Sequence, residues 1–140
     1  MQPTRRIVLP ALLLSFVLCA TKASAFDLNG AWANNTDVCT KIFVKKKNRI
    51  SMAGDSDVYG SGFIVEGNKI RGKMASCTVK TKKEDAGTLN IVAVCSTDIA
   101  LQSVQFMLKI DGEDSVTRLY PGLPELSVSY VRCAPLAEKK

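Results

Sequence analysis

From Asp27 onward the apolar residues come in short runs with a tendency to alternate, and polar punctuation separates one run from the next. Ten segments read as strands: 27–33, 39–45, 49–53, 60–66, 69–74, 77–83, 88–96, 103–110, 115–120 and 127–132. The 3.6-residue repeat of an amphipathic helix is weak throughout, and only 98–104 suggests a single helical turn. The punctuation is chemically specific. Gly67-Asn68, between Phe63-Ile64-Val65 and Ile70, signals a tight hairpin. Lys47-Asn48, Asp85-Ala86-Gly87 and the acidic run 111–114 mark three further turns, and Pro121-Gly122-Leu123-Pro124 ends a strand in a rigid loop. Short strands joined by hairpins predict one all-β domain of about eight to ten strands, either a small antiparallel up-and-down barrel or a sandwich.

The first 25 residues follow a different pattern. Arg5 and Arg6 precede an apolar stretch over 7–20, interrupted only by Pro10 and Ser15, and Ala23-Ser24-Ala25 follows. That order is the three-part order of a cleavable export signal, and the stretch is shorter than the ~20 apolar residues of a membrane span. Leu18 before Cys19 is bulkier than a lipoprotein signal carries, and Val8 and Pro10 fit a twin-arginine signal poorly, so general secretion is the route expected. The expected organisation is a signal peptide at 1–25 and a single domain at 26–140, periplasmic or secreted, with no transmembrane segment after processing. Processing also changes the charge. The whole chain carries 19 basic and 13 acidic residues for a net +6; without Arg5, Arg6 and Lys22 the balance is 16 against 13. Such a modest charge on an exported protein argues against a nucleic-acid partner, and a monomer is expected.

Four cysteines remain after processing: Cys39, Cys77, Cys95 and Cys133. Their separations of 38, 18 and 38 contain no C-x-x-C, and the chain has no histidine, so two disulfides fit better than a zinc site. A hairpin folded about Asp85-Ala86-Gly87, with Lys83 opposite Leu89, brings Thr81 to Ile91, Val79 to Ala93 and Cys77 to Cys95. That register predicts the bridge Cys77–Cys95 and leaves Cys39 with Cys133.

Gly30-Ala31-Trp32 on the first strand and Arg132 on the last resemble the ends of lipocalins and related calycin barrels, among them the avidin-like and small bacterial inhibitor barrels. The resemblance implies that Trp32 packs at a barrel floor with the Arg132 guanidinium across its indole. Read without it, Trp32 is a core aromatic. A longer likeness, over 26–32, 39–44, Gly60-Ser61-Gly62-Phe63 and Cys95-Ser96-Thr97-Asp98, is to a group of small secreted proteins from rhizobia and related α-proteobacteria. It implies an architecture and a habitat but no reaction.

The candidate chemistry is sparse. Without histidine there is no Ser-His-Asp or Cys-His nucleophile and no imidazole metal ligand. A paired-carboxylate hydrolase would have to draw on Asp55, Asp57, Glu66, Asp98 or the acids of 111–114, most of them at expected turns. Asp55, Asp57, Gly60 and Glu66 fall at positions 1, 3, 6 and 12 of a calcium-loop spacing, but Tyr59 at position 5 and the strand-like 63–65 break the pattern, so no metal and no cofactor are expected. Basic residues cluster as Lys45-Lys46-Lys47 with Arg49, as Lys69, Arg71 and Lys73 alternating along one strand face, and as Lys80, Lys82 and Lys83. If the first two groups adjoin, they make a patch for an anionic partner; otherwise they are solvated strand faces. The leading expectation is a non-enzymatic binding module, an inhibitor or partner of an extracytoplasmic enzyme that uses loops 54–60 and 121–124. The alternatives are a calycin-type carrier of a small apolar ligand and, third, the carboxylate hydrolase.

Overall fold

Tight turns between alternating strands leave little freedom in how the chain can pair, and the result is a meander closed on itself. The computed structural model describes residues 25–136. The expected export segment therefore lies, Ala25 apart, outside the described residues. In chain order the elements are β1 (Gly30–Ala33), α1 (Cys39–Ile42), β2 (Phe43–Lys46), β3 (Arg49–Met52), α2 (Ser56–Tyr59), β4 (Gly62–Glu66), β5 (Lys69–Arg71), β6 (Ser76–Asp85), β7 (Thr88–Ser96), β8 (Leu101–Gly112), β9 (Ser115–Leu119) and β10 (Val128–Arg132). Eight strands form a closed antiparallel barrel in the order β1-β10-β9-β8-β7-β6-β5-β4, and β2 and β3 pair apart as a hairpin. Closure runs through β1, where Trp32 lies opposite Arg132 on one side and Phe63 on the other. The barrel is thus the first of the two architectures expected, and no open sheet edge remains on it.

Strand alternation builds the interior. On β7, Leu89, Ile91, Ala93 and Cys95 are buried while Val92 and Ser96 are exposed. They meet Leu28, Trp32, Val65, Ile70, Cys77, Leu108, Val116 and Tyr130 in one core. A second core lies outside the barrel wall. Ala31, Ala33 and Ile64 on the outer faces of β1 and β4 are covered by Cys39, Ile42, Phe43, Cys133 and Leu136. β1 is consequently buried on both faces, and Ile42 and Phe43, at 0% and 2% exposed, each contribute roughly 1.5–3 kcal/mol of burial. Gly62 permits this close approach, because a Cβ there would stand 2.8 Å from the Trp32 carbonyl oxygen and 2.9 Å from Phe43 Cζ.

The disulfides are Cys39–Cys133, with Cα atoms 5.7 Å apart, and Cys77–Cys95, with Cα atoms 3.9 Å apart. The first ties the segment inserted between β1 and β4 to the end of β10; the second crosses the β6–β7 ladder. Both pairings are those the hairpin register predicts, yet that register holds only in its upper half. The turn is two residues, Ala86-Gly87, with φ of 46° and 76°, so Asp85 faces Thr88, Lys83 faces Asn90 and Thr81 faces Val92. The expected pairs Lys83–Leu89 and Thr81–Ile91 do not form. A bulge takes up one residue, Lys80, between Val79 and Thr81, and restores Val79–Ala93 and Cys77–Cys95.

Two other expectations are corrected. Residues 39–45 are not one strand: an Asn35-capped 3-10 turn at Thr36–Val38 leads into α1, and only then does β2 begin. Cys39 and Ile42, three apart, both point at the second core, a spacing that a helical turn satisfies and a strand does not. The helical turn suggested at 98–104 is absent; Thr97 and Ala100 close a short turn, and β8 begins at Leu101.

Candidate functional site

Because the barrel is up-and-down, its connections segregate to two ends. The floor carries the entering segment 25–29 and the turns Gly67-Asn68, Ala86-Gly87 and Glu113-Asp114. The mouth carries loops 72–75, 97–100 and 120–127 and the insertion 34–61, with α2 leading into β4.

The floor is closed by Arg132. Its guanidinium carbon lies 4.4 Å from the Trp32 ring centroid, and Trp32, fully buried, donates its indole N–H to the Leu28 carbonyl at 2.8 Å. The Arg132 Nε donates to Asp114 Oδ1 at 2.8 Å, Nη2 to the carbonyls of Asp27 at 2.7 Å and Glu113 at 3.0 Å, and Nη1 to the Asn29 carbonyl. Gly30, at φ 127°, adopts a backbone conformation that side chains rarely take, and a Cβ there would sit 3.3 Å from Arg132 Nη1. These contacts fasten the first and last strands of the barrel, so Gly30, Trp32 and Arg132 act as a closure. The bulge at Lys80 adds to it. Below the bulge, Lys82 pairs with the inward-facing Ile91 and Glu84 with Leu89, and Glu84 Oε2 accepts the Phe26 backbone N–H at 3.2 Å. Bonds from the Asn29 backbone N–H and side chain hold the Asp27 carboxyl below its ordinary range, helped by the nearby Arg132 and Lys82 charges. Hydrogen bonding from Thr117, then Lys109, does the same for Asp111.

The mouth is built differently. A cavity of about 200 Å³ opens there, walled by Phe63, Ile70, Cys77, Phe106, Leu108, Arg118 and Tyr130, with Gly62, Gly72 and Ala75 at its margin. Ile70 also lines a second cavity of about 200 Å³ nearer the floor, with Leu28, Val65, Val79, Lys82 and Ile91. Val116, Arg118 and Tyr120 alternate along β9 and its continuation. This places the Arg118 guanidinium between the rings of Phe106 and Tyr120, 4.8 Å from each centroid. Around the mouth the loop tips are apolar and wet: Val58 is 77% exposed, Met74 72% and Ile99 96%, and Leu101, Leu123 and Leu126 are also exposed.

Loops 54–60 and 121–124 both belong to this end. The two basic groups come together, since Arg71 on β5 donates to the Ile50 carbonyl of the β2–β3 hairpin at 3.0 Å. Their charges are not equally available. Arg71 also pairs with Glu66 at 2.9 Å, Lys73 bonds the carbonyls of Ala53 and Gly54 and pairs with Asp57 at 3.6 Å, and Lys69 donates to Thr78 Oγ1 at 2.7 Å. The β5 row thus fastens the insertion to the barrel, and Lys45, Lys46 and Arg49 extend beyond it on the hairpin. Asp55 and Asp57 lie at the mouth while Glu66 ends β4 at the floor, and among the described residues no three metal-ligating side chains converge.

Alternation along 115–120 was sufficient to put Arg118 and Tyr120 on the inner face with Val116. Phe106 enters only through the β8–β9 register, which sets Leu108 against Arg118.

The fold and its two ends define a small closed up-and-down barrel with a fastened floor, a loop-lined mouth and two disulfides. Comparison with protein-family models, with curated proteins and with solved structures finds no match to this chain.

Proposed function

We propose that this chain is a non-enzymatic extracytoplasmic binding module whose mouth loops dock onto a protein partner, an enzyme of the same compartment being the leading candidate. The observation that carries the reading is the segregation of exposed apolar tips, Val58, Met74, Ile99, Leu101, Leu123 and Leu126, to one end of a disulfide-bonded barrel. Exposed apolar clusters on a rigid scaffold mark interaction surfaces. Two disulfides and the export pattern of the first 25 residues support the compartment. The alternative, a calycin-type carrier of a small apolar ligand, is less favoured, because about 200 Å³ at the mouth falls below the roughly 300–1,000 Å³ of ordinary ligand pockets.

The test uses immobilised mature protein and periplasmic extract, with a variant carrying Ile99→Asp and Leu123→Asp beside it. A stoichiometric partner held by the parent and lost by the folded variant is expected. A partner held equally by both, or retained only through the hairpin at 43–52, would remove the mouth from the reading.

A further inference from the structure

The arginines on the barrel differ in what holds them. Arg132 commits its guanidinium to four hydrogen bonds, and Arg71 to the Ile50 carbonyl and Glu66. Arg118 is held by ring faces alone: Phe106 and Tyr120 stand 4.8 Å from its guanidinium carbon, and no carboxylate or carbonyl among the described residues bonds its N–H groups. A ring stacked on a guanidinium covers its face and leaves the in-plane N–H donors available, and those donors match a carboxylate in a bidentate pair. Arg118 lines the mouth cavity beside Phe63, Ile70, Leu108 and Tyr130, and the Tyr130 hydroxyl likewise has no hydrogen-bond partner among the described residues. One polar edge on an otherwise apolar chamber selects an amphipathic anion over a neutral hydrocarbon.

Size narrows the class. An apolar cavity of about 150 Å³ accepts benzene. The mouth cavity, at about 200 Å³, has room for one ring and a short acidic arm, and too little for a long acyl chain. We propose that the barrel mouth is a binding site for small monocarboxylates with a ring-sized apolar body, the Arg118 guanidinium receiving the carboxylate while Phe63, Ile70 and Leu108 receive the ring. The site does not depend on the protein-docking reading, since the cavity lies within the mouth and the apolar tips lie around it.

Phenylacetate and benzoate are the probes, titrated into the mature protein at neutral pH by amide NMR and calorimetry. Saturable binding with Kd near ~1 mM or tighter is expected, with shifts concentrated at Phe63, Ile70, Leu108 and Arg118. Benzyl alcohol, which keeps the ring and lacks the charge, should bind at least about tenfold more weakly. Arg118→Gln should weaken phenylacetate by a similar factor, and Arg118→Lys should recover part of the loss. Ala75→Leu, which narrows the cavity from its margin and leaves Arg118 in place, should weaken both acids. If Arg118→Gln fails to fold, the alcohol comparison and Ala75→Leu decide. Absence of saturable binding to the parent, equal affinity for acid and alcohol, or shifts confined to the floor would overturn the proposal.

Discussion

The floor and the mouth of this barrel are made from the same strands yet spend their polar groups in opposite ways. At the floor, Arg132 bonds three carbonyls and a carboxylate and covers Trp32, and Glu84 accepts from Phe26. At the mouth, Arg118 stacks on two aromatic faces with no hydrogen bond among the described residues, and the loop tips expose Ile99 and Met74 to water. An apolar side chain left in solvent forgoes stability, and the most exposed of them, Ile99, Val58, Leu101 and Met74, lie at one end. The difference sets an end that holds the barrel shut against an end that leaves apolar loop tips in solvent.

The largest expected effect concerns the staple that ties the insertion to the end of β10. Cys39–Cys133 closes a loop of 94 residues, and Cys77–Cys95 one of 18. Loop entropy assigns the outer bridge a little under ~5 kcal/mol and the inner roughly 3 kcal/mol. Denaturant unfolding of Cys39→Ala/Cys133→Ala should therefore show the greater loss, together with solvent access to Ile42 and Phe43 in the second core. No loss from Cys39→Ala/Cys133→Ala would mean that the inserted segment is held by packing alone, and a loss no larger than that of Cys77→Ala/Cys95→Ala would remove the loop-length argument.

Next come the two arginines. Arg132→Met removes hydrogen bonds from a charged donor and uncovers Trp32, and about 3 kcal/mol of stability should go with it. Arg118→Gln should cost less than about 1 kcal/mol, since it loses only stacking at a partly buried site. Thermal unfolding of the two variants side by side measures the contrast directly, and similar losses would erase the division between the ends.

Acid should also act on one end. The Asp27 and Asp111 carboxyls, both near the floor, are held below their ordinary value of 3.8. For a carboxyl whose pKa is depressed by folding, the stabilisation is complete above the unfolded value, near 4, and is lost as pH falls through the folded value. As pH falls below about 4, protection against hydrogen exchange should be lost at Asn29 and Thr117 before it is lost at the mouth strand ends. Faster exchange at Phe63 and Leu108 first would contradict the assignment.

Much of this was legible along the chain because barrel strands announce themselves by period two. Each of the ten runs falls on one of the ten strands, although 39–45 is strand only from Phe43, and the hairpin register about 85–87 predicted both bridges. The insertion was harder for a physical reason. Ile42, Phe43, Ile50 and Met52 pack on the outside of the barrel, against Ala31, Ala33 and Ile64, and a second core has no signature until the outer wall exists to receive it. The segment 39–45 carries enough β-branched and aromatic residues, Thr40, Ile42, Phe43 and Val44, to pass for a strand, while the pair that decides its shape, Cys39 and Ile42, is spaced for a helical turn. At the mouth, Arg118 and Tyr120 were within reach of alternation, whereas the partner ring of Phe106 depended on a register between strands.

The smallest effect tests the turn that misled the register. Ala86 sits at φ 46° ahead of Gly87 at φ 76°, so both central residues of the β6–β7 turn are left-handed. Such a two-residue turn follows the twist of the strands, and it favours asparagine before glycine. Alanine in that conformation brings its Cβ close to the following carbonyl, a cost of about 1–2 kcal/mol that asparagine partly escapes through its local hydrogen bonding. Ala86→Asn should then raise stability by about 0.5–1 kcal/mol, read as a shift in the denaturant midpoint with unchanged slope. The Lys80 bulge should persist, because Cys77–Cys95 fixes the upper register and the two-residue turn fixes the lower one. Were Ala86→Asn to destabilise the protein, or were Thr81 to move opposite Ile91, the turn would be the three-residue one that the acidic Asp85 first suggests, and Lys82 and Glu84 would no longer belong to the floor.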